Sequence, residues 1–245
     1  MLAAAALLIV LGAGCGSGGK PEIAAGVDAC ASCNMVIDKV NEAAGFYTGK
    51  EFSAFCSPGC LLRNFEDMRK QKQTLPDRSY FGDYSGSGLQ PADSTSFLIT
   101  RHIPSVMGWG VIGFAGHEAA AAHKTHDDER VVDWIGLRTQ KGTVDRKVSL
   151  VLTSAGMVPD VVEFEKGELV ECAIEGRDLD RDLTIRLRGY EEVGEIHIPQ
   201  SGEVVFVRIL ASRPGAGFPF FDTASKDVLG QIRVSGAHTR EEEDM

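Results

Sequence analysis

The residues with most chemistry to offer cluster near the amino end. Cys30-Ala31-Ser32-Cys33-Asn34-Met35 is followed, after 22 intervening residues, by Cys56-Ser57-Pro58-Gly59-Cys60. A Cys-x-x-Cys spacing lets two sulfurs converge on one metal from a single turn, and a second pair at a helix start can complete the site. Thiolate and thioether ligands select Cu(I) over hard cations. Met35 adds a thioether two residues after Cys33. Met107 lies in the glycine-rich stretch Met107-Gly108-Trp109-Gly110, where backbone freedom lets a side chain reach a site. His102 and His117 flank that stretch, and a nitrogen donor beside sulfur suits Cu(I). The metal-ligand candidates are therefore Cys30, Cys33, Met35, Cys56, Cys60, Met107 and His117, with His102 behind them. His123 and His126 read as an exposed helix end.

The same cysteines support other chemistry. Each pair could be a disulfide in an oxidising compartment, and the two pairs could together hold structural zinc. Cys30 and Cys33 alone could be a thiol–disulfide redox motif. Thioredoxin-type chemistry needs that pair at the helix N-terminus of a βαβ unit, and no strand leads cleanly into Cys30. No phosphate-cradling glycine loop, Ser/His/Asp order or paired carboxylate stands out, so the chain reads as a binding protein and not an enzyme.

These residues need elements to hold them. Phe46-Tyr47 and Phe52-Ser53-Ala54-Phe55 predict a hairpin around Thr48-Gly49-Lys50. Ser57 is a good helix N-cap, with Pro58 at the first helical position, where a missing N–H costs nothing. Leu61, Leu62, Phe65 and Met68 then repeat at helical spacing and form the buried stripe. Cys60 falls in the first turn, where the helix dipole favours thiolate. Further on, Asp83–Gly88 is a turn cluster, Phe97–Ile99 a strand, His102–Gly116 a loop, Glu118–His123 an Ala-rich helix and Val131–Ile135 a strand. From Val148 short apolar runs recur (Val148–Leu152, Val161–Phe164, Leu169–Ile174, Leu183–Leu187, Val204–Leu210, Gln231–Val234), which argues for a β-sandwich. The expected architecture is an α+β metal-binding unit over 22–140, an all-β sandwich over 146–236, and an acidic tail over 237–245.

Composition sets the wider bounds. The 245 residues are 43% hydrophobic and 24% charged, which excludes a disordered or low-complexity chain and suits one or two domains. Net charge is −10 with no basic run, so nucleic acid is not the expected partner. Residues 2–11, LAAAALLIVL, are too short to span a bilayer, which takes about 20 apolar residues, and fit the h-region of a signal peptide. Gly12-Ala13-Gly14-Cys15 then resembles a bacterial lipobox, and Gly16–Gly19 a flexible tether. The expectation is an exported protein, periplasmic or on an outer membrane face, anchored by a lipid on Cys15.

Residues from about 27 to 137 resemble the NosL family, accessory lipoproteins of nitrous oxide reductase assembly. The family's Cys-x-x-Cys-x-Met stands as Cys30, Cys33 and Met35. Asp83-Tyr84, Gly88, Phe97–Ile99, Met107-Gly108, Gly116–Ala120 and Val131–Ile135 match downstream motifs. Family members commonly carry Cys-Gly-Met and Pro-Met-Gly where this chain has Cys33-Asn34-Met35 and Val106-Met107-Gly108. Phe55–Cys60 is similar to the YHS/TRASH metal-trafficking modules. The resemblance implies a periplasmic Cu(I) metallochaperone whose client is a cuproenzyme, nitrous oxide reductase. Residues 146–236 resemble a cupredoxin, from Met157-Val158-Pro159 and Lys166-Gly167-Glu168 to the closing strand Gly230–Val234. A blue-copper site needs two His and a Cys. This stretch has only His197 and Cys172, and Phe220–Ser225 offers neither sulfur nor imidazole, so it is expected to hold no copper.

Overall fold

The computed structural model describes residues 21–236 apart from Asp77 and Ser87. Cys15, the leader and the acidic tail lie outside the described residues. The chain is mostly β-sheet with few helices. In order, it forms β1 (Ala44–Thr48), β2 (Glu51–Phe55), α1 (Pro58–Lys70), β3 (Ser79–Gly82), β4 (Leu89–Pro91), β5 (Thr95–Ile99), β6 (Val111–Ala115), α2 (His117–Ala122), β7 (Arg130–Val132) and α3 (Trp134–Lys141). The remainder is all strand: β8 (Arg146–Thr153), β9 (Gly156–Val158), β10 (Val161–Glu165), β11 (Leu169–Gly176), β12 (Leu183–Leu187), β13 (Glu195–Ile198), β14 (Val204–Leu210), β15 (Gly215–Asp222) and β16 (Val228–Ser235).

The first seven strands make two small sheets, ordered β2-β1-β3-β4 and β6-β5-β7. The β1–β2 hairpin turns at Gly49, at φ +61°. α1 starts as its sequence dictates. Ser57 is extended, its Oγ accepts the Cys60 N–H at 3.2 Å, and Pro58 opens the helix. The buried stripe Leu61, Leu62 and Phe65 packs into an aromatic core with Phe46, Phe55, Phe81, Phe97 and Trp134. Phe81 meets Phe97 edge-on at 4.7 Å and tilts against Trp134 at 4.9 Å.

Two expected elements differ. The loop from His102 ends at Gly110, because Val111–Ala115 pairs antiparallel with β5. The strand expected at Val131–Ile135 stops at Val132, and Asp133 caps α3 by accepting the Gly136 N–H at 2.7 Å. The apolar run suited either element, and the cap decided.

The last nine strands form a sandwich. A five-stranded sheet, β10-β16-β15-β12-β13, faces a four-stranded one, β14-β11-β8-β9. The β10–β16 and β8–β11 pairs are parallel, so the chain crosses between sheets and is no simple meander. Ile174, Ile185, Ile198, Ile209, Phe220 and Ile232 are fully buried between them. Asp145 ties α1 to the sandwich: one carboxylate oxygen accepts from Arg69 Nε and the other from the Leu169 N–H, both at 2.7 Å. Thr143 donates to Glu66 at 2.9 Å beside it.

Candidate metal centre

Three short pieces build one site: a tight loop, the end of a hairpin, and a helix start. In the loop the Ala29–Val36 bridge closes the base. The Cys30 N–H donates to the Met35 carbonyl at 2.8 Å and the Asn34 N–H to the Cys30 carbonyl at 2.9 Å. Asn34 takes φ +62°, a left-handed conformation that Asn tolerates better than most residues. The Ala31 N–H then bonds the Ala54 carbonyl at 2.8 Å, docking the loop on the end of β2 two residues before Cys56.

The result is convergence of all four sulfurs. The Sγ atoms of Cys30, Cys33, Cys56 and Cys60 all lie within 4.8 Å of one another. Cys33 contacts Cys56 at 3.6 Å, and Cys56 contacts Cys60 at 3.6 Å. Cys30, Cys56 and Cys60 are buried, while Cys33 is only partly so. None of the four forms a disulfide. Among the described residues this is the one group of three or more His, Cys, Asp or Glu arranged to hold an ion.

Electrostatics divides the thiols. Burial raises the Cys30 pKa, but backbone N–H groups of Cys56, Cys33 and Ser32 outweigh it and bring it down to about 7. Cys56 is pushed far up by burial and by its contacts with Cys60 and Cys33. Cys60 is also raised, chiefly by burial. One thiolate is thus favoured, and a cation would be needed to stabilise several at once. Four soft donors in a mostly dry pocket fit a soft or borderline metal and offer nothing to a hard one.

The other candidates fall differently. Met35 and Met107 are both about half exposed, at 48% and 49%. Met107 sits at φ +60° in the 106–108 turn, and the Val106 N–H donates to the buried Glu42 carboxylate at 2.6 Å. Two residues on, Trp109 packs so closely over Gly59, between Cys56 and Cys60, that a Cβ there would overlap the indole. The Met107 turn is thereby fixed beside the start of α1. His117 does not join the thiol group; it is exposed at the first position of α2. His102 and His126 stack on each other at 3.7 Å, and His102 bonds Asp128. Glu42 and Trp109 escaped sequence reasoning. A lone Glu carries no signal, although Trp109 among glycines could have suggested close packing.

In the sandwich, Phe220–Ser225 ends β15 and turns through the buried Asp222, which accepts from Arg181, the Ala224 N–H and the Ser225 hydroxyl. Cys172 is sealed in the sandwich core, where burial lifts its pKa to about 12.

No family model and no curated protein matches the sequence. Solved structures do give alignments. A copper binding protein determined by NMR in the apo form is 18% identical over 36% of this chain and 86% of its own, with TM-score 0.29. The metal binding domain of the Cu(I) exporting P-type ATPase CopA of Streptococcus pneumoniae D39 is 17% identical over 39% of this chain and all of its own, with TM-score 0.29. Auracyanin A, a blue copper protein of Chloroflexus aurantiacus, is 14% identical over 36% of this chain and 99% of its own, again with TM-score 0.29. Likeness of that degree decides nothing, and the metal reading rests on the thiols. No helix among the described residues is long and apolar enough to cross a membrane.

Proposed function

We propose that this protein is a carrier of Cu(I), exported and lipid-anchored through Cys15, that hands copper to a cuproenzyme. The observation that carries the reading is the convergence of four sulfurs within 4.8 Å with only one, Cys33, reachable from solvent. Such a pocket holds a soft cation against water yet leaves one ligand at which an incoming thiolate can exchange. The surface beside it suits a docking client. Met35 and Met107 offer exposed thioethers, and Val27 and Val36 are exposed on the same loop as the first cysteine pair. The NosL resemblance supports nitrous oxide reductase as the client, with the sandwich as a metal-free companion.

One observation favours a second reading, a permanent zinc site. Zinc bound by four cysteines at about 2.3 Å places the sulfurs about 3.8 Å apart, close to the two 3.6 Å contacts here. An anaerobic competition decides between them. Reduced protein is titrated with Cu(I) against a chromophoric Cu(I) chelator, with and without prior loading with Zn(II). The carrier should bind Cu(I) tightly, release any zinc to it, and lose affinity by about tenfold or more in Cys33→Ser, at least the loss seen on removing an outer partner of a metal ligand. Protein that keeps one zinc in excess Cu(I) is a zinc-stabilised module.

A further inference from the structure

The sequence groups the cysteines as Cys30/Cys33 and Cys56/Cys60, and the fold brings the two groups into contact, with Cys56 touching Cys33 as closely as it touches Cys60. Cys33, the one partly exposed thiol of the four, has its sulfur 3.6 Å from that of Cys56 on the far side of the hairpin. Cys60 is fully buried, and its own backbone is engaged by Ser57. Cys30 is equally buried. An oxidant arriving from solvent therefore meets Cys33 first, and Cys56 is in contact with it.

We propose that Cys33 and Cys56 form a reversible disulfide when the metal-free protein meets a hydroperoxide, and that this bond closes the metal site. It rests on the reading of the four thiols as that site. Cys33 sulfur attacks the peroxide O–O bond, giving Cys33 sulfenic acid and one water, or an alcohol from an organic hydroperoxide. Cys56 sulfur then displaces the sulfenic oxygen, which leaves as water with the Cys56 proton. Two thiols and one hydrogen peroxide yield one disulfide and two waters. The sulfurs must close from 3.6 Å to about 2.05 Å, a shift of roughly 1.5 Å. A dithiol reverses the bond by exchange. Bound metal occupies both sulfurs and protects them, so only empty carrier is switched off. This use of the second cysteine pair separates a storage state from a competent one in an oxidising compartment.

Trypsin supplies the test, because Lys39 and Lys50 lie between the two groups. Full-length, reduced, metal-free protein is treated anaerobically with one equivalent of hydrogen peroxide, alkylated and digested. The expected product is two peptides joined by one disulfide, with fragmentation placing it at Cys33–Cys56. The parent protein loses two free thiols and two hydrogens of mass. Preloading with Cu(I) should prevent the link, and Cys30→Ser should retain it while Cys33→Ser abolishes it. A disulfide mapped within either group, a link that survives Cys33→Ser, or no loss of thiol overturns the proposal. Cu(I) titration of the untreated reduced protein reads the metal site separately, so failure of the switch and failure of the carrier reading give different results.

Discussion

At Gly59 the helix that bears Cys60 and the indole of Trp109 come so close that no side chain fits between them. Arg63 covers the other part of that ring, with its guanidinium 5.4 Å from the ring centre. Gly59→Ala must therefore push Trp109, and with it the Met107 turn, away from the thiols. Overpacking of this kind costs about 1–3 kcal/mol. The expected result is a lower denaturation midpoint with a red-shifted tryptophan emission; an unchanged spectrum would mean that the contact does not hold the turn. Glu129 makes a second residue-scale prediction. Its buried carboxylate accepts from the Thr100 hydroxyl and the Thr125 N–H, both at 2.6 Å, and from the His126 N–H at 2.9 Å. The Thr100 hydrogen bond leads in lowering its pKa from 4.5 to about 2, with burial opposing. A depressed carboxylate gives stability that is complete above its unfolded pKa and is lost as pH falls through the folded one. The melting temperature should thus fall as pH drops from 4.5 towards 2, and Glu129→Gln should be less stable at neutral pH but flatter across that window.

At the scale of elements, the start of α1 does two jobs with one side chain. Ser57 caps the helix by taking the N–H of Cys60, so it also fixes the backbone of one of the four clustered thiols. Ser57→Ala should cost about 1 kcal/mol in chemical denaturation and should weaken Cu(I) binding as well. A loss of stability with unchanged copper affinity would separate the cap from the site. This helix was legible in the sequence because Ser57-Pro58 and the Leu61, Leu62, Phe65 stripe agree. The hairpin before it was legible from the aromatic pieces on either side of Thr48-Gly49-Lys50. α3 was not, since Val131-Val132 and Trp134-Ile135 read as one strand and only the Asp133 cap breaks them. β15 was not among the expected strands, because Gly215, Gly217 and Pro219 interrupt its apolar run, although the strand lies between β16 and β12. β6 hid similarly, and Gly113 is needed there because a Cβ would meet the Gly82 carbonyl at 2.8 Å. For the site, spacing named all four cysteines, and Asn34 stands at a left-handed position that Asn tolerates better than most residues. The contact across the groups was invisible, because it depends on the Ala31–Ala54 hydrogen bond folding the loop onto the hairpin.

Over the whole molecule, α1 is the rigid link between chemistry and scaffold. Its first turn carries Cys60 and its last turn carries Arg69, about 14 Å further along at 1.5 Å per residue. Arg69 meets Asp145, whose other oxygen holds the first amide of β11. Both side chains of that pair are 21% exposed, so solvent screens it only in part. Asp145→Ala removes the ion pair and leaves the Leu169 N–H without its acceptor. An unpaired buried donor costs about 1–3 kcal/mol, here taken from the contact between the thiol-bearing part and the sandwich. In calorimetry the wild type should melt in one transition that moves up as a whole when Cu(I) is added, since a ligand stabilises whatever unfolds with its site. The variant should melt in two, and Cu(I) should raise only the one belonging to the cysteines. If the variant still melts in a single metal-shifted step, the two parts are coupled by packing around Leu62, Phe65, Leu169 and Leu210 and not by the carboxylate.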